Sequence, residues 1–200
     1  HKFPLLKPEQ AIVLIRAVRL YQEALWVAES DANQSWLLLV AAIETAANYW
    51  RASKDPPIER LKISRPVFFK FLIETGIDGL AEKVAVEFVD SIGSTKKFTE
   101  FLLEFLPAPP EKRPHEKLQV IWTEHDLKKA FKLIYDYRSK ALHDGRPFPF
   151  PMCDPPFMPN RKDPTILAEK PLGLATSASG GTWVSIDTPM LLNTFVSMGV

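Results

Sequence analysis

The sequence predicts an all-α fold, a helical bundle of four or more helices over residues 1–145 with a proline-rich C-terminal extension over 146–200. Two observations carry this. Before residue 145, apolar residues recur at three- and four-residue spacing in several segments, the period of a helix with one buried face. After Gly145 the composition changes, and residues 146–172 hold eight prolines, which no regular helix accommodates. With 46% hydrophobic and 24% charged residues in 200, there is enough apolar surface for a core.

Taken in order, Pro8 suits a first helical turn, and "EQAIVLIRAVRLYQEALWVAES" after it keeps the helical spacing. Asp31 is placed to cap a second helix running to about Lys54. Pro56 and Pro57 force a break. Shorter helical patterns come next over Pro66–Glu74, Gly79–Ser91 and Ser94–Phe105, the last with Ser94 as a candidate cap. "PAPPEKRP" is a loop. A long helix then runs from about Thr123 to His143, stopped by Asp144-Gly145, where glycine supplies the left-handed residue that ends many helices. In the extension, Phe148, Phe150 and Phe157 are expected to plug an extended segment into the helical body. "SASGG" is a loop, "TWVSID" a short strand, and "PMLLNTFVSMG" the start of a helix.

Bulk properties narrow the function classes. The net charge of +1 neither demands nor excludes nucleic acid, so a local basic surface would have to bind it. The single cysteine, Cys153, rules out an intrachain disulfide and reads as a reduced thiol in a cytoplasmic protein. The most apolar run, Trp36–Trp50, is too short to span a bilayer and contains Glu44, so no membrane partner is expected. No phosphate-cradling glycine loop, nucleophile elbow or paired-cysteine metal site is present. "HE" (His115-Glu116) and "EHD" (Glu124–Asp126) are too sparse for a metal, and no cofactor is expected. The chain opens on His1 and stops in "FVSMGV", and is expected to be a piece of a longer protein.

The chemistry concentrates in "EHDLKKAFKLIYDYRSKALHDG". Turning each residue by about 100° puts Leu127, Phe131, Ile134 and Ala141 on one stripe, flanked by Ala130, Tyr137 and Leu142. Arg138 falls inside that stripe. Its guanidinium cannot lose its charge, so it must be paired or bind an anion. Glu44, with Asn48 one turn later, is a second charge on an apolar helix, and the two are expected to meet. Such a pair is either structural or a support that holds Arg138 for another task. His143 is either a residue favoured by the helix C-terminal dipole or part of a site. Arg-x4-His is weak as a bare string and gains weight from its place at the end of this helix. Five residues separate the two side chains by about 140°. Convergence therefore needs a loosened helix end, or a symmetric dimer that brings two copies together.

Tyr135–Gly145, "YDYRSKALHDG", resembles the HEPN superfamily and its Apea-like branch, with Arg138 and His143 on the family's Arg-x4–6-His motif. "LLVAAIETAANYW" is similar to the family's earlier core helix with its embedded Glu. "GRPFPFP" is similar to the proline-rich segment that comes after the motif in that branch. The resemblance implies a helical bundle that dimerises through the motif helix and acts as a metal-independent endoribonuclease. His143 would take the proton of a ribose 2′-hydroxyl and Arg138 would hold the scissile phosphate. Glu44, Asn48, Tyr137 and Ser139 would support them. Lys128, Lys132, Lys140 and Arg146 would contact RNA, in a homodimer from a prokaryotic defence or toxin system, with an antitoxin or partner domain. Catalytic members often carry Asn, Asp or His directly after the Arg, and here Ser139 stands there. The alternatives are a non-catalytic RNA- or protein-binding module, and a plain bundle with Arg138 fully buried on Glu44.

Overall fold

The computed structural model describes residues 6–50, 56–88, 93–159, 163–171, 174–175, 183–184 and 188–198. Helix α1 (Pro8–Val27) starts on Pro8, and the Lys7 N–H donates to Gln10 Oε1 at 2.8 Å. Helix α2 (Ala32–Trp50) is capped by Asp31, whose Oδ1 accepts from the Gln34 N–H at 2.8 Å. The expected end near Lys54 lies outside the described residues. Three short helices come next: α3 (Pro57–Ser64), α4 (Pro66–Glu74) and α5 (Leu80–Glu87). Helix α3 is absent from the sequence expectation, because Pro57 reads there only as a breaker. It sits at the first helical position, where its missing N–H costs nothing. Helix α6 (Ser94–Glu104) is entered through Gly93 at φ +81°, so Ser94 is its first residue and not its cap. The motif helix is α7 (Glu124–His143), with the Thr123 hydroxyl accepting from the Asp126 N–H at 3.2 Å. Single-turn α8 (Phe150–Cys153) and α9 (Leu192–Ser197) complete the described α-helices, with one 3-10 turn at Glu116–Leu118 ahead of α7. An antiparallel pair of two-residue strands, β1 (Leu174–Ala175) and β2 (Trp183–Val184), captures the first half of "TWVSID". Among the described residues the regular structure is helical apart from this pair, and "SASGG" lies outside them.

The main core is built by α1, α2, α6 and α7, around Trp36, Leu39, Phe98, Leu102, Leu127, Phe131 and Ile134. Each apolar side chain withdrawn from water there contributes about 1.5–3 kcal/mol. The extension completes this core. Trp36 is fully buried, donates Nε1 to the Met152 carbonyl at 3.2 Å, stacks on Phe148 at 5.3 Å and meets a tilted Phe195 ring at 5.0 Å. Of the three expected plugs only Phe148 is buried. Phe150 is 78% exposed and Phe157 is also exposed. Phe150 opens α8, and it is Met152 two residues on that turns inward, joined by Met190, Leu192, Phe195 and Met198. Helices α3–α5 enclose a second small cluster, Leu61, Leu72, Ala81 and Ala85. Among the described residues no helix is long and apolar enough to cross a membrane.

Candidate functional site

Glu44 and Arg138 do meet. Arg138 Nη2 donates to Glu44 Oε2 at 2.5 Å, and the Tyr135 hydroxyl donates to Glu44 Oε1 at 2.6 Å. The Arg138 guanidinium carbon lies 5.5 Å from the centre of the Tyr135 ring. Glu44 therefore has both oxygens occupied, and Tyr135 and Glu44 together restrict the guanidinium. Burial, then the hydrogen bond to Glu44, pushes the Tyr135 phenol up to about 12, so it stays a donor throughout the neutral range.

The pair is not sealed. The side chain of Arg138 is 23% exposed and that of Glu44 15%, and both line an open cleft of about 720 Å³. Helix α2 supplies one wall through Glu44 and Asn48, which share a face at a spacing of four. Ser94 and Thr95 at the start of α6 and Arg65 between α3 and α4 close the other sides. Helix α7 supplies Tyr135, Asp136, Arg138, Ser139 and His143. Setting Arg138 at zero, these fall at about 60° (Tyr135), 100° (Ser139), 140° (His143) and 160° (Asp136) around the helix.

That arc resolves the geometric difficulty at the motif. Helix α7 runs unbroken to His143, the Asp144 N–H still bonds the Lys140 carbonyl at 2.9 Å, and only Gly145, at φ +64°, turns the chain. The helix does not loosen, and a second copy is not needed to bring Arg138 and His143 to one cleft. They stand near opposite margins of a wide arc, with Tyr135 and Ser139 between them. His143 is exposed, and its ring has no hydrogen-bond partner among the described residues.

The other expected residues separate into two groups. Asn48 and Ser139 line the cleft, and Asn48 Oδ1 also accepts from Lys97 Nζ at 3.2 Å. Tyr137 does not. Its ring packs 6.1 Å from Phe148, with Lys140 over it. Lys128, Lys132, Lys140 and Arg146 are absent from the cleft lining. Lys128 instead lines a separate hollow of about 430 Å³ among Glu100, Glu104 and Glu124. Lys140 is about 200° from Arg138 around α7, so it faces away. Besides Arg138, the cation in the lining is Arg65, and Lys97 reaches the lining residue Asn48 from outside it. Neither leaves a local signal, because each comes from an element distant in sequence. Tyr135 is legible: the same 100° count that singles out Arg138 puts Tyr135 beside it and Tyr137 on the far side. Leu142, expected on the flank of the stripe, is exposed.

Among the described residues no three His, Cys, Asp or Glu side chains gather as a metal site. Cys153 is partly buried, and burial first, then Asp154, pushes its thiol up to about 11, far from a reactive thiolate. Comparison with protein-family models, with curated proteins and with solved structures finds no match to this chain.

Proposed function

We propose that the cleft is the site of a HEPN-type, metal-independent endoribonuclease, with His143 as general base and Arg138 as phosphate stabiliser. The observation that carries it is the state of Arg138. It is held by Glu44 and Tyr135, yet commits one of its five donors to that carboxylate, and its side chain stays partly exposed in the cleft lining. A forked donor held in place at one margin of a cleft and a histidine at the other suit a phosphodiester lying between them. His143 takes the 2′-hydroxyl proton, the 2′-oxygen attacks phosphorus, and the bond to the 5′-oxygen breaks. That oxygen leaves with a proton returned by the imidazolium. The products are a 2′,3′-cyclic phosphate and a 5′-hydroxyl. Arg138 neutralises the charge that builds on the phosphoryl oxygens.

A second reading, a non-catalytic RNA- or protein-binding module, draws on the unanchored His143 ring, since a general base is usually oriented by a partner. The experiment that separates them is cleavage of total RNA in EDTA by the wild type, His143→Ala and Arg138→Ala. Cleavage lost in both variants is the expected result. RNA binding without cleavage overturns the enzyme. A homodimer, a toxin-neutralising partner and a cytoplasmic setting in a defence system extend this reading. A monomeric mass by light scattering at micromolar concentration removes the homodimer from it.

A further inference from the structure

We propose that Arg65 is a second phosphate contact of the same cleft, so that the preferred ligand carries two neighbouring phosphates. This rests on the cleft taking RNA. Arg138 and Arg65 line one space but reach it from different elements. Arg138 has a carboxylate partner. Arg65 is exposed and has none among the described residues. An exposed arginine is ordinary on its own. What distinguishes this one is where it stands and how its backbone is held. It joins α3 to α4, its N–H donates to the Leu61 carbonyl at 2.8 Å, and its carbonyl accepts from the Phe69 N–H at 2.8 Å. Helices α3–α5 have their own apolar cluster beneath it.

The charge of the lining points the same way. Glu44 is committed to Arg138 and Tyr135, while Asp136 faces the cleft as well. With neutral His143 and without Arg65, the lining would carry one excess negative charge and would repel a polyanion. Arg65 cancels it and offers a second fork from a different element. RNA presents its negative charges at regular intervals along one strand, so two guanidiniums reaching one cleft from different elements can each take one.

The test uses 2′-O-methyl dinucleotides, which cannot be cleaved by 2′-oxygen attack. Each has one phosphodiester and carries a further terminal phosphate at the 5′ end, at the 3′ end, or at neither. Binding is measured by calorimetry with the wild type, Arg65→Ala and Arg65→Lys. The substitutions leave both backbone hydrogen bonds in place, so the fold persists. The expected result is about tenfold tighter binding of one of the doubly phosphorylated ligands to the wild type. That advantage disappears in Arg65→Ala and is partly kept in Arg65→Lys, while the singly phosphorylated ligand binds equally to all three. An absent advantage in the wild type, or one that survives in Arg65→Ala, overturns the proposal. Failure of every ligand to bind overturns it together with the RNA reading. The advantage in binding, without cleavage of unmodified RNA, overturns only the ribonuclease.

Discussion

Two partly buried Arg–Glu pairs stand among the described residues, and they differ in what is left over. Arg113 donates Nε to Glu169 Oε1 at 2.7 Å and Nη2 to Glu169 Oε2 at 2.5 Å and to the Val120 carbonyl at 2.6 Å. The Val120 N–H returns a bond to Glu169 Oε2 at 2.7 Å. The side chains are 17% and 9% exposed. The Glu169 hydrogen bonds raise the already high Arg113 affinity for its proton. The backbone of Glu169 also accepts from Leu191 and Thr194, so this clamp ties the loop after α6 to the extension and α9. The Arg138–Glu44 pair has one Arg donor engaged, a tyrosine in place of backbone partners, and an open cleft beside it. The same two residue types thus make a closed fastening in one region and a positioned cation in the other. The discriminating quantity is the number of donors still facing water, not the presence of the ion pair.

If that distinction holds, Glu169→Gln costs more stability than any change at the open pair. It strands Arg113 where water reaches poorly and is expected to cost about 3–5 kcal/mol in denaturant unfolding. A cost near 1 kcal/mol would mean that the clamp is solvated and the contrast false. His143→Ala is the converse. The side chain is exposed, so stability should stay within about 0.5 kcal/mol of the wild type. Cleavage should fall by about 10²–10⁴-fold, the usual contribution of a general base. A variant that is both unstable and inactive would turn His143 into a fold element.

How much of this is readable in the sequence differs between the two pairs. Arg138 and Glu44 are legible because each sits on a long amphipathic helix, where a charge breaks a stripe that can be counted. Arg113 and Glu169 lie in proline-rich segments without a period, and nothing in "PAPPEKRP" or "ILAEKP" marks either residue as buried. The helices with clear periods are legible: α1 and α7 nearly to their ends, and α2 at its start, its expected end lying outside the described residues. Helix α3 is not, because its starting proline signals an end as readily as a beginning. At the site, the residues on α2 and α7 are largely predictable from helical phase. Arg65 and the start of α6 reach the cleft only through tertiary packing, which no single segment encodes. The lysines are absent from the cleft lining for a related reason. Charge marks a face as solvated, and a solvated face need not be the one that borders the cleft.

Glu44→Gln sharpens the comparison from the other side. A fully sealed pair would cost as much here as at Glu169. Because Arg138 can be hydrated through the cleft and Gln still accepts from Tyr135, about 1–2 kcal/mol is expected, measured in the same denaturant series. Cleavage should fall by more than that stability loss explains, since the guanidinium is no longer held. Equal costs at the two glutamates would return Arg138 to a structural role.

The smallest effect belongs to Tyr135→Phe, which removes one hydrogen bond to Glu44 and should cost about 1 kcal/mol at neutral pH. Its signature is in the pH dependence. The folded state holds the Tyr135 proton up to about 12, against an ordinary value of 10.0. Below pH 10 both folded and unfolded chains are protonated, and the contribution is fully present. Between pH 10 and about 12 the unfolded chain loses the proton while the folded one keeps it, so stability declines with rising pH. Tyr135→Phe should flatten that part of the decline, so the wild type loses its advantage inside this window and the two unfolding curves cross before pH 12. Parallel curves across this window would show that the phenol is not held by burial and Glu44. The support that separates the open pair from an ordinary surface ion pair would then be missing.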